Sequence, residues 1–352
     1  MMWLLLISCQ STVEFYQTID LQDGDYAIQS RTIDTLTDPN TMQGTLGNMY
    51  VGGIFEMDLT TTSLSYNPGP PARPIFTVQD NTAIPLDRDG LIAFSFYAHL
   101  EDTLTFINQS DTDFAAITPV DVAISPILPD LTLALLPLEN AAYVPSVHHF
   151  IVLSDLLEKE VPLAANKGVV AHEFGHAVFH YLSTGGTETE RIVATDSLGR
   201  SSIASLDEGL ADVLGYLISN NPDFIAASLP NQNRALDTLH LAEEVDVLPG
   251  EEPEEGILPS YDPYPLGSVF AATIWTINQT INDNILLFNW LTHSTEQFGL
   301  EIQNGIREDS IDLGFQWLDV LVDEAPSSTE QSIACEAIRT HFTTVYEVSA
   351  CQ

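Results

Sequence analysis

The feature that most constrains this chain is the pentapeptide His172-Glu173-Phe174-Gly175-His176, which lies within a run of Val, Ala and Phe residues. Two histidines four positions apart on an α-helix lie about 40° apart around its axis, so both rings can face one point. Buried polar side chains are costly unless they have partners, and a metal ion would satisfy both imidazoles. The pattern predicts a buried helix from the N-cap Asn166 to about Ser183, with both histidines as zinc ligands. The alternative is a pair of core histidines satisfied by their neighbours.

A second predicted helix supplies the remaining ligand of such a site. A catalytic zinc ion takes three protein ligands and keeps one position for water. Glu208 and Asp212 are four residues apart in a segment that begins near Ser205, so they share one helix face. Glu208 would provide the third ligand, and Asp212 would accept the outer N–H of a metal-bound histidine. A solvated or ion-paired acidic face is the alternative, which the apolar flanks and the lack of neighbouring Lys or Arg disfavour.

The charge of the chain excludes two classes of partner. Fifty Asp and Glu residues against ten Lys and Arg give a net charge of −40, and the only lysines are Lys159 and Lys167. Such a surface repels nucleic acids and anionic lipids. It is typical of an acidic coat suited to a salty medium. Bound Ca²⁺ is a second possibility, in particular on the acidic loop from Glu243 to Asp262, since hard cations take oxygen ligands.

The N-terminus indicates export. Residues 1–10 form a short apolar run that is too short for a mature transmembrane helix and is typical of a removed signal. Leu6-Ile7-Ser8-Cys9 resembles the lipobox of bacterial lipoproteins, which implies lipidation of Cys9 and membrane attachment through that anchor alone; the lack of Lys or Arg before it departs from the pattern. We therefore interpret residues 1–24 as a signal or lipobox followed by a polar tether. Cys335 and Cys351 would then remain to form a disulfide in an oxidising compartment.

Hydrophobic patterning predicts an α+β fold in two parts. Residues 26–85 are typical of short strands, 91–107 of a buried helix in which His99 is a core residue, and 148–153 of a strand in which His148 and His149 are structural. Residues 184–205 indicate a flap or insertion. Residues 267–281 indicate a buried helix, and the remainder is helical in character. We predict an α+β part over 25–183 that ends with the H-E-x-x-H helix, and a helical part over 184–352 that carries Glu208.

Together, His172-Glu173-Phe174-Gly175-His176 and Asp207-Glu208-Gly209-Leu210-Ala211-Asp212 resemble the two helices of gluzincin metallopeptidases, especially the thermolysin and fungalysin groups. The resemblance spans roughly residues 91–281. It implies a two-lobed zincin-like fold with a β-containing N-terminal lobe, a mainly helical C-terminal lobe and the zinc helix at the cleft. It also implies zinc ligands His172, His176 and Glu208, general base Glu173, and Asp212 as the residue that orients His172. Asn140-Ala141-Ala142-Tyr143 is similar to the edge strand that holds substrate backbone in this family, which implies substrate contacts at Asn140 and Ala141.

One departure from the family is chemically important. The family has a histidine before the helix that corresponds to residues 267–271, where it donates to the oxyanion, and this chain has none there. Tyr264 is at the closest matching position, and its phenol could donate the same hydrogen bond. The expected function is hydrolysis of protein or peptide substrates. The alternatives are an exported zincin-fold lipoprotein that binds peptides or glycans without cleaving them, and a metal-stabilised structural protein.

Overall fold

A computed structural model describes residues 15–22, 25–58, 63–128, 141–153, 162–184, 201–229, 232, 234–245, 248–249, 262–307 and 310–352. The described strands are β1 (Phe15–Gln22), β2 (Asp25–Arg31), β3 (Leu36–Asp38), β4 (Gln43–Gly44), β5 (Met49–Val51), β6 (Gly53–Asp58), β7 (Ser63–Pro68), β8 (Phe76–Gln79), β9 (Thr82–Pro85), β10 (Asp121–Ile124), β11 (Ala141–Val144) and β12 (His149–Val152). The described α-helices are α1 (Arg88–Ile107), α2 (Lys167–Thr184), α3 (Ser202–Ser219), α4 (Tyr264–Ile281), α5 (Asn284–Gln303), α6 (Leu313–Asp323) and α7 (Ser328–Phe342). The predicted α+β class is confirmed.

The sheet nearest to the H-E-x-x-H helix has the strand order β11-β12-β10-β5. β12, β10 and β5 are parallel, whereas β11 runs antiparallel to β12 with Ala141 opposite Val152. β11 is therefore an edge strand, and it packs beside α2. The other sheets are β2-β1-β9-β8 and the hairpins β3-β4 and β6-β7.

One apolar core connects the strands to the helices. Its buried members extend from Ile33, just after β2, to Cys351 near the C-terminus. They include Phe174 of α2 and Trp317 of α6, both fully buried. The predicted boundary between residues 183 and 184 falls at the last residue of α2, and α2 packs directly against α3 of the second predicted part. The two predicted parts therefore share a core.

The predicted tether is wrong for Phe15–Gln22, because this segment is the strand β1. Thr18 and Ile19 are buried, and the backbone N–H of Ile19 donates to Ser95 Oγ of α1 at 2.8 Å. Nε2 of the buried His99 lies 2.9 Å from the carbonyl oxygen of Ile19, so His99 is a core residue as predicted. The many polar residues of this strand concealed its alternating pattern. Residues 1–14, which include Cys9, lie outside the described residues.

The described residues from 202 to the C-terminus are mainly helical, as predicted. Residues 267–281 belong to α4, whose buried side chains include Phe270 and Ile274, and no helix within the described ranges is both long and apolar enough to cross a membrane. A disulfide joins Cys335 of α7 to Cys351. It attaches the end of the chain to the last α-helix.

Asp102 of α1 connects the end of β2 to the H-E-x-x-H helix. It accepts from Nη1 of Arg31 at 2.8 Å and lies 3.0 Å from Nζ of Lys167, the first residue of α2. Burial raises the pKa of this carboxyl, but Arg31 and Lys167 outweigh burial, and the net effect is a lowered pKa. The ionised carboxylate is thus favoured in the folded protein.

We predict that Asp102→Asn lowers the free energy of unfolding at pH 7 by about 1–2 kcal/mol, because two cations lose their charged acceptor. A lowered folded-state pKa stabilises the protein above the unfolded pKa of about 3.9 and loses this effect as the pH falls. The difference between variant and wild type should therefore shrink below about pH 4, as measured by urea unfolding. Glu336→Gln, at an exposed position of α7, is the control. Equal losses in both variants at pH 7 would contradict the assignment.

Candidate metal centre

Small residues bring the three helices of the site close together. A Cβ atom on Gly175 of α2 would lie 2.6 Å from Cα of Ala211 in α3. A Cβ atom on Gly209 of α3 would lie 2.7 Å from the carbonyl oxygen of Gly267 in α4. Contacts this short exclude a larger side chain without backbone movement. The two glycines therefore set the spacing of α2, α3 and α4 at the site.

The N-terminus of α2 is fixed by Asn166, as predicted. Its Oδ1 accepts from the backbone N–H of Gly168 at 3.1 Å, and its Nδ2 donates to the carbonyl oxygen of Phe224 at 2.8 Å. Asn166 is fully buried. The cap therefore both starts the helix and attaches it to the segment after α3.

His172, His176 and Glu208 meet between α2 and α3. Nε2 of His172 lies 3.2 Å from Nε2 of His176 and 3.5 Å from Oε2 of Glu208, and Nε2 of His176 lies 3.9 Å from the same oxygen. Tetrahedral zinc with ligand distances of about 2.0–2.1 Å separates its ligand atoms by about 3.3–3.4 Å. In the part of the chain that the structure describes, these three residues form the one group able to hold a metal ion. Their donor types and spacing fit zinc.

The outer ring nitrogens of both histidines lie against carboxylates. Nδ1 of His172 is 2.8 Å from Oδ1 of Asp212, and Nδ1 of His176 is 2.8 Å from Oδ1 of Asp207. A proton on Nδ1 of His176 donates to Asp207, whereas the contact between His172 and Asp212 is short but is not aligned as a hydrogen bond. Protons on both Nδ1 atoms leave both Nε2 lone pairs available at one point. A cation at that point would resolve the otherwise unfavourable contact between the two lone pairs.

Without a cation, a proton is held in the same place. Burial lowers the pKa of His176, but Asp207 and Glu208 outweigh burial and raise the pKa to about 10. Burial also raises the pKa of Glu208. Burial acts in the same direction on Asp212, but Arg234 and His172 outweigh it and hold the pKa of Asp212 below its usual range. Metal binding at neutral pH must therefore displace a proton, so affinity should increase with pH.

Asp207 is a residue of the candidate site whose contact with His176 the sequence did not predict. It directly precedes Glu208, and its carboxylate is about one-third exposed, whereas Asp212 is buried. Glu208 and Asp207 are at adjacent positions of α3, so one helix supplies both a candidate metal ligand and the partner of a second candidate ligand, His176. The three acidic residues Asp207, Glu208 and Asp212 within one short segment were the sequence signal for such a contact.

Arg234 is the second residue that was missed. Its guanidinium donates to Oδ1 of Asp212 at 2.6 Å and to Oε2 of Glu208 at 3.3 Å, and only 8% of its side chain is exposed. The sequence analysis expected no Lys or Arg near Glu208 and Asp212. This is correct for α3 itself, but in the folded protein Arg234 contacts both carboxylates. Two carboxylates buried in apolar surroundings are costly without a positively charged partner. The acidic pair in an apolar segment was therefore the sequence signal for a basic residue elsewhere in the chain.

Tyr264 lies beside these charges at the first turn of α4. Cζ of Arg234 is 4.1 Å from the centroid of its ring, a cation–π contact. Burial and the nearby Glu208 carboxylate raise the pKa of the phenol. Tyr264 is thus a protonated hydrogen-bond donor at neutral pH.

Glu173 faces the edge strand. It is buried, and its Oε2 accepts from the backbone N–H of Tyr143 at 2.9 Å. Since this N–H points away from β12, and alternate residues of a strand point their backbone groups to the same side, those of Ala141 also face away from β12. Ala141 is therefore placed at the open edge beside Glu173, whereas Asn140 lies outside the described residues.

His148 and His149 do not contribute to the metal centre. Nδ1 of His148 lies 2.7 Å from the hydroxyl oxygen of Tyr143, and Nε2 of His149 lies 4.0 Å from a carboxylate oxygen of Asp121. Both side chains contact residues of the sheet, Tyr143 of β11 and Asp121 of β10, so they are structural, as predicted. Ca²⁺ binding by Glu243–Asp262 stays a prediction, because residues 246–247 and 250–261 lie outside the described ranges.

No protein family matches the chain, and no curated protein is similar to it. The site is thus defined by the geometry of its residues alone.

We predict that Asp207→Ala lowers zinc affinity about 10- to 100-fold, because His176 loses the partner that orients its ring. Asp207→Asn should lose less, since an amide oxygen can still accept from Nδ1. Competition with a chromophoric chelator at fixed pH measures both. Asp223→Ala removes an exposed carboxylate elsewhere and should leave affinity unchanged. Wild-type affinity in Asp207→Ala would show that the contact does not orient the ligand.

Proposed function

We propose that this protein is a zinc-dependent endopeptidase with the two-lobed arrangement of gluzincins, and that its cleft lies where α2 faces β11. The observation that carries the proposal is the convergence of His172, His176 and Glu208 on one point beside a buried glutamate, Glu173, that is not needed as a ligand. A purely structural zinc site is usually closed and rich in cysteine. An open ligand set next to a potential base supports catalysis instead.

Zinc bound at these residues would polarise a scissile carbonyl and lower the pKa of a water molecule towards about 7. The protein's own groups would then carry out the proton transfer. Glu173 accepts the proton from water and returns it to the leaving amine. The Tyr143 N–H holds the Glu173 carboxylate at the cleft through the 2.9 Å hydrogen bond to Oε2.

The edge strand supports a polypeptide as the substrate. An extended peptide is proposed to pair with the backbone groups of Ala141 that face away from β12, in the same way as a further strand would. Asn140, the neighbouring residue, is proposed as a second substrate contact. Pairing through the backbone suits many sequences, so it orients the scissile bond without selecting it.

Tyr264 is proposed as the oxyanion donor in place of a histidine. Its phenol stays protonated, and its ring is fixed by the Arg234 guanidinium. Arg234 in turn holds Asp212 and Glu208. One charged network therefore positions the metal ligand, the partner of His172 and the proposed donor together.

Export is part of the proposal. The Cys335–Cys351 disulfide is typical of an oxidising compartment, and attachment to the cell envelope would follow from lipidation of Cys9.

We predict that Glu173→Gln retains zinc but lowers kcat for casein at least about 100-fold, because the amide cannot accept the proton. Metal content and chelator-sensitive hydrolysis are measured on the same preparation. Glu336→Gln is the matched control on the surface of α7. A wild-type protein that binds zinc and casein without chelator-sensitive cleavage would instead be a peptide-binding protein.

We predict that Tyr264→Phe lowers kcat about 10²- to 10³-fold with little change in KM, since only the hydroxyl donor is removed. The phenyl ring can keep its contact with Arg234, so zinc affinity should remain that of the wild type. Steady-state kinetics on one fluorogenic peptide measure the effect. Unchanged kcat would mean that another group stabilises the oxyanion.

A further inference from the structure

Tyr143 of the edge strand β11 makes hydrogen bonds with both its backbone and its side chain. Its backbone N–H donates to Oε2 of Glu173 at 2.9 Å, and its hydroxyl oxygen lies 2.7 Å from Nδ1 of His148. The first contact reaches the proposed general base. The second returns to the turn that joins β11 to β12. Because both contacts belong to one residue, the way the side chain is anchored affects where the N–H points.

The surroundings of His148 define the direction of the side-chain hydrogen bond. Nε2 of His148 lies 3.2 Å from the carbonyl oxygen of Ile117, which can only accept, so the neutral ring carries its proton on Nε2. Nδ1 then has a lone pair for the hydroxyl proton of Tyr143. Burial and the charge of Asp207 raise the pKa of this phenol, so it keeps its proton at neutral pH. Tyr143 therefore donates to His148, and His148 donates to Ile117.

The backbone of His148 adopts a conformation that most residues avoid. Its φ of 52° and ψ of 51° are in the left-handed region, directly after the turn Pro145–Val147. Histidine is one of the few residues besides glycine that are enriched there. A conformation of this kind costs free energy and persists where the surrounding contacts hold it. The two hydrogen bonds of the His148 ring supply such contacts.

Aromatic packing places the Tyr143 ring between the sheet and α2. Its centroid is 5.7 Å from that of Phe150 in β12, and the Phe150 centroid is 6.1 Å from that of Phe174, which directly follows Glu173 in the sequence. Apolar contacts of this kind have little directional preference. The hydroxyl is the polar end of a buried ring, and its hydrogen bond adds the missing direction.

We propose that Tyr143 and His148 are positioning residues that hold the Tyr143 N–H on the carboxylate of Glu173. The contacts extend from the Ile117 carbonyl through the His148 ring and the Tyr143 side chain to the backbone of β11, and from there to Oε2 of Glu173. A general base must be within hydrogen-bond reach of the water that it deprotonates, so its orientation affects the rate. This inference rests on the proposed peptidase function and adds the residues that orient its base.

The alternative is that the Tyr143–His148 contact only stabilises the turn. Stabilisation alone would change the free energy of unfolding and leave kcat per folded molecule unchanged. Positioning of Glu173 would instead lower kcat. It would leave KM and zinc content unchanged, because the metal ligands and the backbone of Ala141 are not altered.

The kinetic test uses Tyr143→Phe, which keeps the aromatic packing and removes the hydroxyl. We expect kcat per folded molecule for a fluorogenic peptide to fall about three- to tenfold, the effect of one neutral hydrogen bond. His148→Ala should give a similar loss. His148→Asn should recover most of it, because an amide oxygen can accept near the Nδ1 position and asparagine tolerates the left-handed backbone. The double variant Tyr143→Phe/His148→Ala should lose no more than either single variant, since both remove one contact.

Two matched controls lie in the neighbouring strands. Tyr66→Phe removes a hydroxyl that donates to the carbonyl oxygen of Gly52 at 2.9 Å, and His149→Ala removes the histidine next to His148. Both should keep the wild-type kcat. Unchanged kcat in Tyr143→Phe would overturn the proposal, as would equal losses in Tyr143→Phe and Tyr66→Phe. The same kcat in His148→Asn and His148→Ala would overturn it as well.

Hydrogen exchange tests the contact without catalysis. The 11 tyrosines of the zinc-loaded protein are labelled with ¹⁵N, and the amide of residue 143 is assigned by its absence from the Tyr143→Phe spectrum. We expect this amide to exchange several-fold faster in His148→Ala than in the wild type or in His148→Asn. If the wild type cleaves no peptide but shows this pattern, the peptidase proposal fails and the positioning of Glu173 is supported. Equal exchange in all three proteins overturns the inference.

Discussion

The interaction on which the site depends is the pairing of two imidazoles on one helix with two carboxylates on the next. Asp212 faces His172, and Asp207 faces His176, each at 2.8 Å. These contacts orient both rings so that the inner nitrogens meet beside Glu208. They are possible because Gly175 and Ala211 let α2 and α3 approach closely. Helix packing, rather than the motif alone, therefore brings the residues of the candidate metal centre together.

The few basic residues of this acidic protein are paired with its buried carboxylates. Arg234 lies between Asp212 and Glu208, while Arg31 and Lys167 hold Asp102. A buried carboxylate is stable when it has a charged partner, and removal of that partner is costly. Arg307 is paired in the same way with the half-buried Glu301, so at least four of the ten basic residues serve buried or half-buried acidic groups. Most of the remaining carboxylates can stay in solvent, where their charge costs little.

The topology of one small sheet places an edge strand beside the candidate metal centre. β12, β10 and β5 are parallel, whereas β11 runs antiparallel to β12 and lies at the edge of the sheet. The backbone N–H of Tyr143 in β11 faces away from β12 and donates to Glu173. The reversal of one strand therefore supplies the backbone partner of the proposed general base.

The sequence by itself determined the helices and the donor atoms. The four-residue spacing of His172 and His176, the Asn166 cap and the acidic face of α3 are local patterns that 3.6 residues per turn converts directly into geometry. Tertiary structure alone decided which distant groups complete the site, such as Arg234 on an irregular segment and the backbone N–H of Tyr143 on an edge strand. It also revealed that Phe15–Gln22 is a strand rather than a tether, since Ser95 and His99 of α1 bond to its backbone. Periodicity encodes contacts within an element, whereas contacts between elements depend on how the whole core packs.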